Sequence, residues 1–421
     1  MPRQYFGTDG VRGVVGEDLT PELVERLGRA ATLWSGRGRI FIGRDTRASG
    51  VDLEDALARG IASAGGNAVV AGVLPTPAVA LLTLDLGCVI TASHNPPEYN
   101  GVKFFDRDGQ KLTDEEEEQI EALLDQPATG GGEIDEVGVA TDSYLEHVLE
   151  RFGSDLTGLR IGVDCANGAY SGLAPKAFEQ LGADVVAIGN DPDGSNINVG
   201  CGATDLRALQ ELVRNERLDL GVAFDGDGDR MLAVGGNGEV VDGDEIVAIL
   251  ALHLRVDSVT VTPMTNGGFH ELMSAHGIET YTTEEVGDRY VLEAMRAHGG
   301  KLGGEQSGHI IYLAGHVTGD GLVAALALCR ALEGRSLAEA AAVMPHHPQV
   351  KENVRVRSKT LSDSLVQAVS AANDELSGRG RVLVRPSGTE PVVRVLAEAR
   401  DGEEAARLCA SIAALVRREL G

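Results

Sequence analysis

At 421 residues the chain exceeds what one hydrophobic core ordinarily holds, and length alone divides it into roughly two to four domains. Hydrophobic residues make up 43% of it, enough for packed interiors, and 55 glycines point to many tight turns. A net charge of −27 argues against nucleic acid and anionic membrane surfaces as partners, and a phosphorylated substrate would need a local cluster of Arg, Lys and metal to reverse the field.

The opening Met-Pro-Arg-Gln-Tyr-Phe lacks the apolar stretch of a signal peptide. Short β-branched runs then alternate with amphipathic stretches, the pattern of an α/β protein with largely parallel sheets. Residues 39–45 read as a strand, 53–64 as a helix, and 68–73 and 88–92 as further strands. The most apolar stretch, 69–84, is broken by Pro75 and Pro77 and stopped by Asp85. It falls short of the about 20 residues a membrane span needs. Residues 101–105 and 110–112 read as a hairpin across Arg107-Asp108-Gly109, and the acidic run from Asp114 opens a helix with its charge well placed. Gly130, Gly131 and Gly132 mark 127–133 as a linker.

A second unit follows, with strands at 159–164, 184–188 and 218–224 and helices at 173–181 and 206–215. A third runs from a strand at 259–263 through helices near Phe269 and Val291 to a long helix at 321–332. Beyond Pro345 and Pro348 the pattern changes to a strand at 353–356, a helix at 362–376, two strands around Pro386-Ser387-Gly388, and a closing helix with Leu408, Ile412, Leu415 and Val416 on one stripe. Four domains are predicted, 1–150, 151–245, 246–347 and 348–421, the first three α/β units of one kind and the last a smaller α+β unit. The five cysteines are scattered without a Cys-x-x-Cys, so neither a disulfide framework nor a zinc site is expected and a reducing cytoplasm fits.

Asp225-Gly226-Asp227-Gly228-Asp229-Arg230 follows the apolar run 218–224, which puts three carboxylates at a strand's C-terminal end, where α/β folds place ligands. The glycines let alternate carboxylates converge on one ion, and three Asp oxygens with room for water or phosphate suit magnesium. An EF-hand loop also spaces Asp at alternate positions, but Arg230 stands where it needs Gly and Gly236 where it needs Glu. A solvated acidic turn is the plain alternative.

Thr91-Ala92-Ser93-His94-Asn95-Pro96-Pro97 also follows an apolar strand. Its prolines fix the exit, and its small neighbours leave the Ser93 hydroxyl uncovered. Ser93 beside His94 suggests a hydrolase, yet neighbours on an extended loop do not easily make a nucleophile–base contact, and no Gly-x-Ser-x-Gly elbow is present. A serine carrying phosphate, whose about two negative charges complete a metal site, reads better. A turn-stabilising Ser and Asn reads nearly as well. Arg385-Pro386-Ser387-Gly388-Thr389-Glu390-Pro391, with Arg394 nearby, is either a phosphate cradle or an ordinary hairpin turn. No Walker sequence is present. In Gly303-Gly304-Glu305-Gln306-Ser307-Gly308-His309, Glu305 and Ser307 suit sugar hydroxyls, while a lone His at a strand start is more often a satisfied core residue. Lys103 and Arg12 read as isolated basic residues.

In one order these motifs resemble the α-D-phosphohexomutase family over nearly the whole chain. Phe6-Gly7-Thr8-Asp9-Gly10-Val11-Arg12-Gly13 is similar to its N-terminal signature, and the Ser93 loop, running into Asn100-Gly101-Val102-Lys103-Phe104-Phe105, to its phosphoserine loop. The Asp225, Glu305 and Arg385 segments are similar to its metal, sugar and phosphate loops. The resemblance implies four domains around a central cleft, with Ser93 as phosphoserine and one Mg2+ held by Ser93's phosphate, Asp225, Asp227 and Asp229. It implies that Glu305 and Ser307 contact the sugar, and that Arg385, Ser387, Gly388, Thr389 and Arg394 grip the phosphate that is not reacting. Catalytic candidates are Ser93, His94, Arg12, Lys103, Arg230 and His309. The implied reaction interconverts glucosamine-6-phosphate and glucosamine-1-phosphate through a bisphosphorylated sugar, because Glu305-Gln306-Ser307-Gly308 and 193–204 are similar to the glucosamine-type versions. Thr91 stands where Ser is more usual, and Thr265-Asn266-Gly267-Gly268 matches only loosely. Glucose or mannose phosphates, a sugar-phosphate-binding protein without turnover, and a phosphatase are the competing readings. A homodimer is compatible with the sequence.

Overall fold

The computed structural model describes residues 4–7, 9–387 and 391–421. The chain forms two compact units, one of Met1–Pro263 with Glu279–Ala342, the other of Met264–Ile278 with Val343–Gly421.

Three mixed sheets build the first unit. The first orders its strands Phe6–Gly7, Gly10–Val14, Tyr99–Phe105, Leu86–Ile90, Arg39–Arg44, Asn67–Val73 and Ile134–Glu136, of which the last four run parallel and the others pair antiparallel. Leu86–Ile90 is buried along its whole length, as expected of a parallel strand covered on both faces. Helices Pro21–Trp34 and Gly50–Ser63 cover it through Leu23, Leu27, Leu53 and Leu57. The second sheet sets Leu220–Phe224, Arg160–Asp164 and Asp184–Ile188 parallel, with Met231–Gly235 and Val240–Val241 antiparallel at one side. In the third, Glu279–Thr282, Ser258–Val261 and Leu302–Gly304 are parallel and Ile310–Tyr312 antiparallel. These are the three similar α/β sheets expected, followed by a smaller α+β part.

Several elements go beyond the sequence reading. Phe6–Gly7, Gly10–Val14 and the helices Pro21–Trp34, Ala140–Phe152 and Gly243–Leu254 were not assigned by pattern. The start of Pro21–Trp34 was nonetheless encoded: Thr20 accepts from Leu23 N at 3.3 Å and Pro21 opens the helix. The linker at 127–133 is coil, but it leads into Ile134–Glu136, which adds a parallel edge strand to the first sheet.

The second unit is a three-stranded antiparallel sheet, Gln349–Arg355, Val392–Ala399 and Gly380–Pro386, with helices Asp363–Leu376 and Gly402–Leu420. Ile412 and Val416 are buried against it, while Leu408 and Leu415 pack at the margin. Helix Gly267–Ala275 lies in this unit. Its first amide, Gly267 N, donates to both carboxylate oxygens of buried Glu398 at 3.1 Å. Asn266 caps Gly268 N and donates to the His347 carbonyl. A carboxylate at a helix N-terminus meets unpaired amides and the positive end of the helix dipole, which fixes the helix to this sheet.

In the first unit, the hydroxyls of Tyr144 and Tyr170 lie 2.7 Å apart and each lies 2.8 Å from a carboxylate oxygen of Asp320, so two hydroxyl protons serve three contacts. Asp320 also caps helix Gly321–Leu332 at Val323 N and faces His316 Nε2 at 3.0 Å. Burial would raise its carboxyl, but His316 and the capping amide outweigh burial and hold it below the ordinary 3.8. That stability is present above pH 3.8 and is lost as the pH falls through the depressed folded value. Tyr170→Phe should cost about 1–3 kcal/mol in chemical denaturation, because a buried acceptor loses its donor. The gap between wild type and Asp320→Asn should narrow below pH 3.8.

Candidate active site

Strand Leu86–Ile90 hands the chain to buried Thr91 and Ala92. Asn95 N then donates to the Ala92 carbonyl at 3.0 Å, and the chain turns with Ser93 in the left-handed region, φ +51°. That region disfavours a serine by roughly 1–2 kcal/mol, so its surroundings impose it. Ser93 Oγ lies 3.3 Å from His94 Nδ1 and donates to Asp225 Oδ2 at 2.7 Å. Two expectations change. The loop is not extended at Ser93, so Ser and His do meet. Nor is the hydroxyl uncovered, since Ser93 is only 2% exposed beneath the Asp225 loop. Burial, reinforced by Arg230 and Arg12, takes His94 down to about 4 and leaves its ring neutral.

Strand Leu220–Phe224, wholly buried, delivers the acidic loop. Gly228 N closes a turn on the Asp225 carbonyl at 3.1 Å, with Gly228 at φ +78°. A side chain there would strike the Tyr170 ring at 2.4 Å, so this glycine is required twice over. One ligand oxygen from each of Asp225, Asp227 and Asp229 lies within 4.8 Å of the others. Asp227 Oδ1 and Asp229 Oδ1 are buried and accept no hydrogen bond among the described residues. Burial raises Asp225 well above the carboxylate range, and the charges of Asp229 and Asp227 raise it further. Hard oxygens, unmet acceptors and crowded negative charge fit a divalent cation.

Cations close in from other strands. Lys103, on Tyr99–Phe105, is 2% exposed and reaches Asp227 Oδ2 and Asp9 Oδ2, both at 3.2 Å. Burial opposes its charge, but Asp227 and Asp9 outweigh it and raise the ammonium. Arg12 pairs with Asp9, and Arg230 Nε stands 3.9 Å from Asp229 Oδ1. His309 bridges Asp229 at 3.6 Å and Asp288 at 3.4 Å. Burial again opposes its cation, but Asp288 and Asp229 outweigh it and hold His309 at about 9. Lys111 joins Asp288 at 2.5 Å to Asp9 at 3.0 Å. Asp9, Lys111, Asp288 and Thr76, which donates to Asp227 Oδ2 at 2.7 Å, were missed as site residues. Asp9 sat inside the quoted signature; Asp288 and Lys111 carry no local pattern.

The sugar-type loop is a tight turn in which Glu305 N donates to the His309 carbonyl and Gly308 N to the Glu305 carbonyl, each at 3.0 Å. Met231 N donates to the Gly308 carbonyl at 2.9 Å, which sets the loop beside the acidic strand's partner. Ser307 Oγ donates to Glu305 Oε2 at 3.3 Å. Burial and the nearby Asp288 raise the Glu305 carboxyl. The structure thus gathers Ser93, His94, Lys103, Arg12, Arg230, His309, Glu305 and Ser307 about the three aspartates. In the second unit, Arg385 and Arg394 are paired across the sheet, lining a cavity of about 390 Å³ with Lys351 and Asn353. Buried Ser387 bonds through its amide to the Val392 carbonyl at 2.9 Å. Gly388 and Thr389 lie outside the described residues.

Four profiles described as phosphoglucomutase/phosphomannomutase match the chain: alpha/beta/alpha domains I, II and III over residues 3–130, 142–238 and 242–347, and the C-terminal domain over 350–415. It is 49% identical to a phosphoglucosamine mutase of Moorella thermoacetica over 97% of this chain and 98% of that one. Against the phosphoglucosamine mutase of Pelotomaculum thermopropionicum it is 50% identical over 94% and 95%. Among solved structures, a phosphoglucomutase/phosphomannomutase family protein of Burkholderia thailandensis superimposes with a TM-score of 0.86 at 25% identity, covering 99% of this chain and 98% of that one.

A divalent cation that binds only the folded carboxylates stabilises the fold by mass action, by about 2.7 kcal/mol at a hundred times its Kd. Thermal unfolding should therefore shift upward on adding the ion, and Asp227→Asn should abolish most of that shift.

Proposed function

Since the chain belongs to the phosphoglucomutase/phosphomannomutase family, the α-D-phosphohexomutases, we propose that it interconverts glucosamine-6-phosphate and glucosamine-1-phosphate by way of phosphorylated Ser93. Such an enzyme is an isomerase: substrate and product hold the same atoms. The observation that carries the reading is the Ser93 Oγ contact with Asp225 at 2.7 Å, a hydroxyl brought to a cluster of metal-type carboxylates from 132 residues away in sequence.

In the first half-reaction a sugar hydroxyl attacks the phosphorus on Ser93. The P–Oγ bond breaks as the new P–O bond forms, giving a bisphosphorylated sugar. The sugar then turns over, and Ser93 Oγ takes the other phosphoryl group. In each half the proton leaving the attacking hydroxyl is matched by one reaching the departing oxygen, which is Oγ in the first half and the sugar oxygen in the second. Phosphoryl transfer needs positioning and charge neutralisation more than covalent help. Lys103, Arg12, Arg230 and His309 supply fixed positive charge, and His94, neutral, faces Oγ. Asp225, Asp227 and Asp229 with a phospho-Ser93 oxygen would hold Mg2+, which adds neutralising charge when bound. Glu305 and Ser307 would read the sugar hydroxyls. Arg385, Ser387, Gly388, Thr389 and Arg394 would grip the phosphate that is not reacting, in either orientation, because they read phosphate and not a sugar carbon.

The division at 150, 245 and 347 belongs to the same reading, with helices Ala140–Phe152 and Gly243–Leu254 running across the first two positions as connectors. Among the described residues no helix is long and apolar enough to cross a membrane. We place the enzyme in the cytoplasm, as a homodimer, which light scattering at twice 44.1 kDa would verify.

Purified protein with Mg2+ and a trace of sugar bisphosphate should turn over glucosamine phosphate in preference to glucose or mannose phosphates. A preference for either hexose would replace the substrate assignment. Ser93→Ala should lower kcat by more than about a thousandfold while its thermal unfolding stays close to wild type.

A further inference from the structure

We propose that Arg47 is a positioning residue for Ser93, its guanidinium holding the 93–99 loop in the left-handed turn that aims Oγ at Asp225. The proposal rests on the reading of Ser93 as phosphoryl carrier. Arg47 follows strand Arg39–Arg44, the parallel neighbour of Leu86–Ile90, and is 1% exposed, so it touches no substrate.

A guanidinium offers five N–H donors in a rigid plane. Here all five are engaged. Nε donates to Asp45 Oδ2 at 2.9 Å. One terminal nitrogen donates to the carbonyls of Pro96 and, at 2.9 Å, Tyr99. The other donates to the carbonyls of Ser93 at 3.0 Å and Asn95 at 2.8 Å. Four carbonyls of one loop thus converge on a single side chain. The loop has few amides with which to bond them itself, since Pro96 and Pro97 have none.

The same ion pair also reaches Ser93 from its amide side. Asp45 Oδ2 accepts from Thr91 Oγ1 at 2.7 Å, and Thr91 Oγ1 accepts from Ser93 N at 2.9 Å. Asn198 contributes from the second sheet, its Nδ2 donating to the Ser93 carbonyl at 2.8 Å and that of Asn95 at 3.2 Å. Ser93 is therefore gripped at both peptide groups, and its φ of +51° is kept by those grips against its own preference. Released, the residue returns to negative φ and Oγ swings off Asp225.

Arg47→Lys keeps the charge but offers only three donors. Its kcat on glucosamine phosphate should fall about tenfold to a hundredfold, the scale of a misplaced reacting group. KM should stay within about twofold, because the lost interaction is not with substrate. Amide hydrogen exchange across 93–99 should quicken at least about tenfold, with Leu86–Ile90 unchanged. A wild-type kcat in Arg47→Lys, or a loss that vanishes after normalising to the folded fraction, overturns the proposal. Should Arg47→Lys not fold, Asn198→Ala decides: faster exchange at 93–99 with lowered kcat supports it, and wild-type values of both reject it. If the wild type turned over no sugar phosphate, the functional reading would fall, while the exchange comparison would still decide whether Arg47 holds the loop.

Discussion

Asp225, Asp227 and Asp229 bring ligand oxygens within 4.8 Å of one another in a buried loop. Two like charges about 4 Å apart repel by about 4 kcal/mol even at an effective dielectric of about 20. Much of the first unit answers that repulsion. Burial and crowding drive the Asp225 carboxyl up, whereas His309, Lys103 and Arg230 overcome burial at Asp229 and drive it down. From Asp227 a run of alternating charge passes through Lys103, Asp9, Lys111, Asp288 and His309 back to Asp229. A chain carrying −27 overall thereby keeps its cations where an anion would need them.

The acidic loop is also braced from behind. Tyr170 lies against Gly228, and Gly321 N donates to the Gly228 carbonyl at 3.0 Å. Tyr170 is tied in turn to Asp320, the cap of the helix that Gly321 opens. The turn bearing the carboxylates is thus continuous with a helix start in another part of the unit, so the loop has little freedom to open under its own repulsion.

What was legible in the sequence was local. Leu220–Phe224 and its acidic turn stood out because a buried strand and a strand-end loop are both patterns of neighbouring residues. The same holds for the Ser93 and Glu305 loops. What stayed hidden was either non-local or depended on backbone turns. Asp288 and Lys111 matter through partners far along the chain, each being the other's at a separation of 177 residues. His309 looked like a core histidine until Asp229 and Asp288 were seen on either side of it. The contact between Ser93 and His94 depends on a left-handed serine, which no residue preference predicts. Arg47 could have been suspected, since it lies just past the C-terminal end of a parallel strand, where α/β folds gather function. Helix Gly267–Ala275 was recognisable as a helix, but its allegiance was decided by Glu398, far along the chain.

That allegiance shapes how the protein would come apart. The backbone passes between the two units three times, after Pro263, Ile278 and Ala342. A protease nick after Ala342 would release no free tail, because residues 343–421 would remain clasped to a helix still threaded through the other fragment. The nicked protein would migrate as one particle in gel filtration and as two bands once denatured. A chain ending at that point would instead leave the first amide of that helix without the Glu398 carboxylate that receives it.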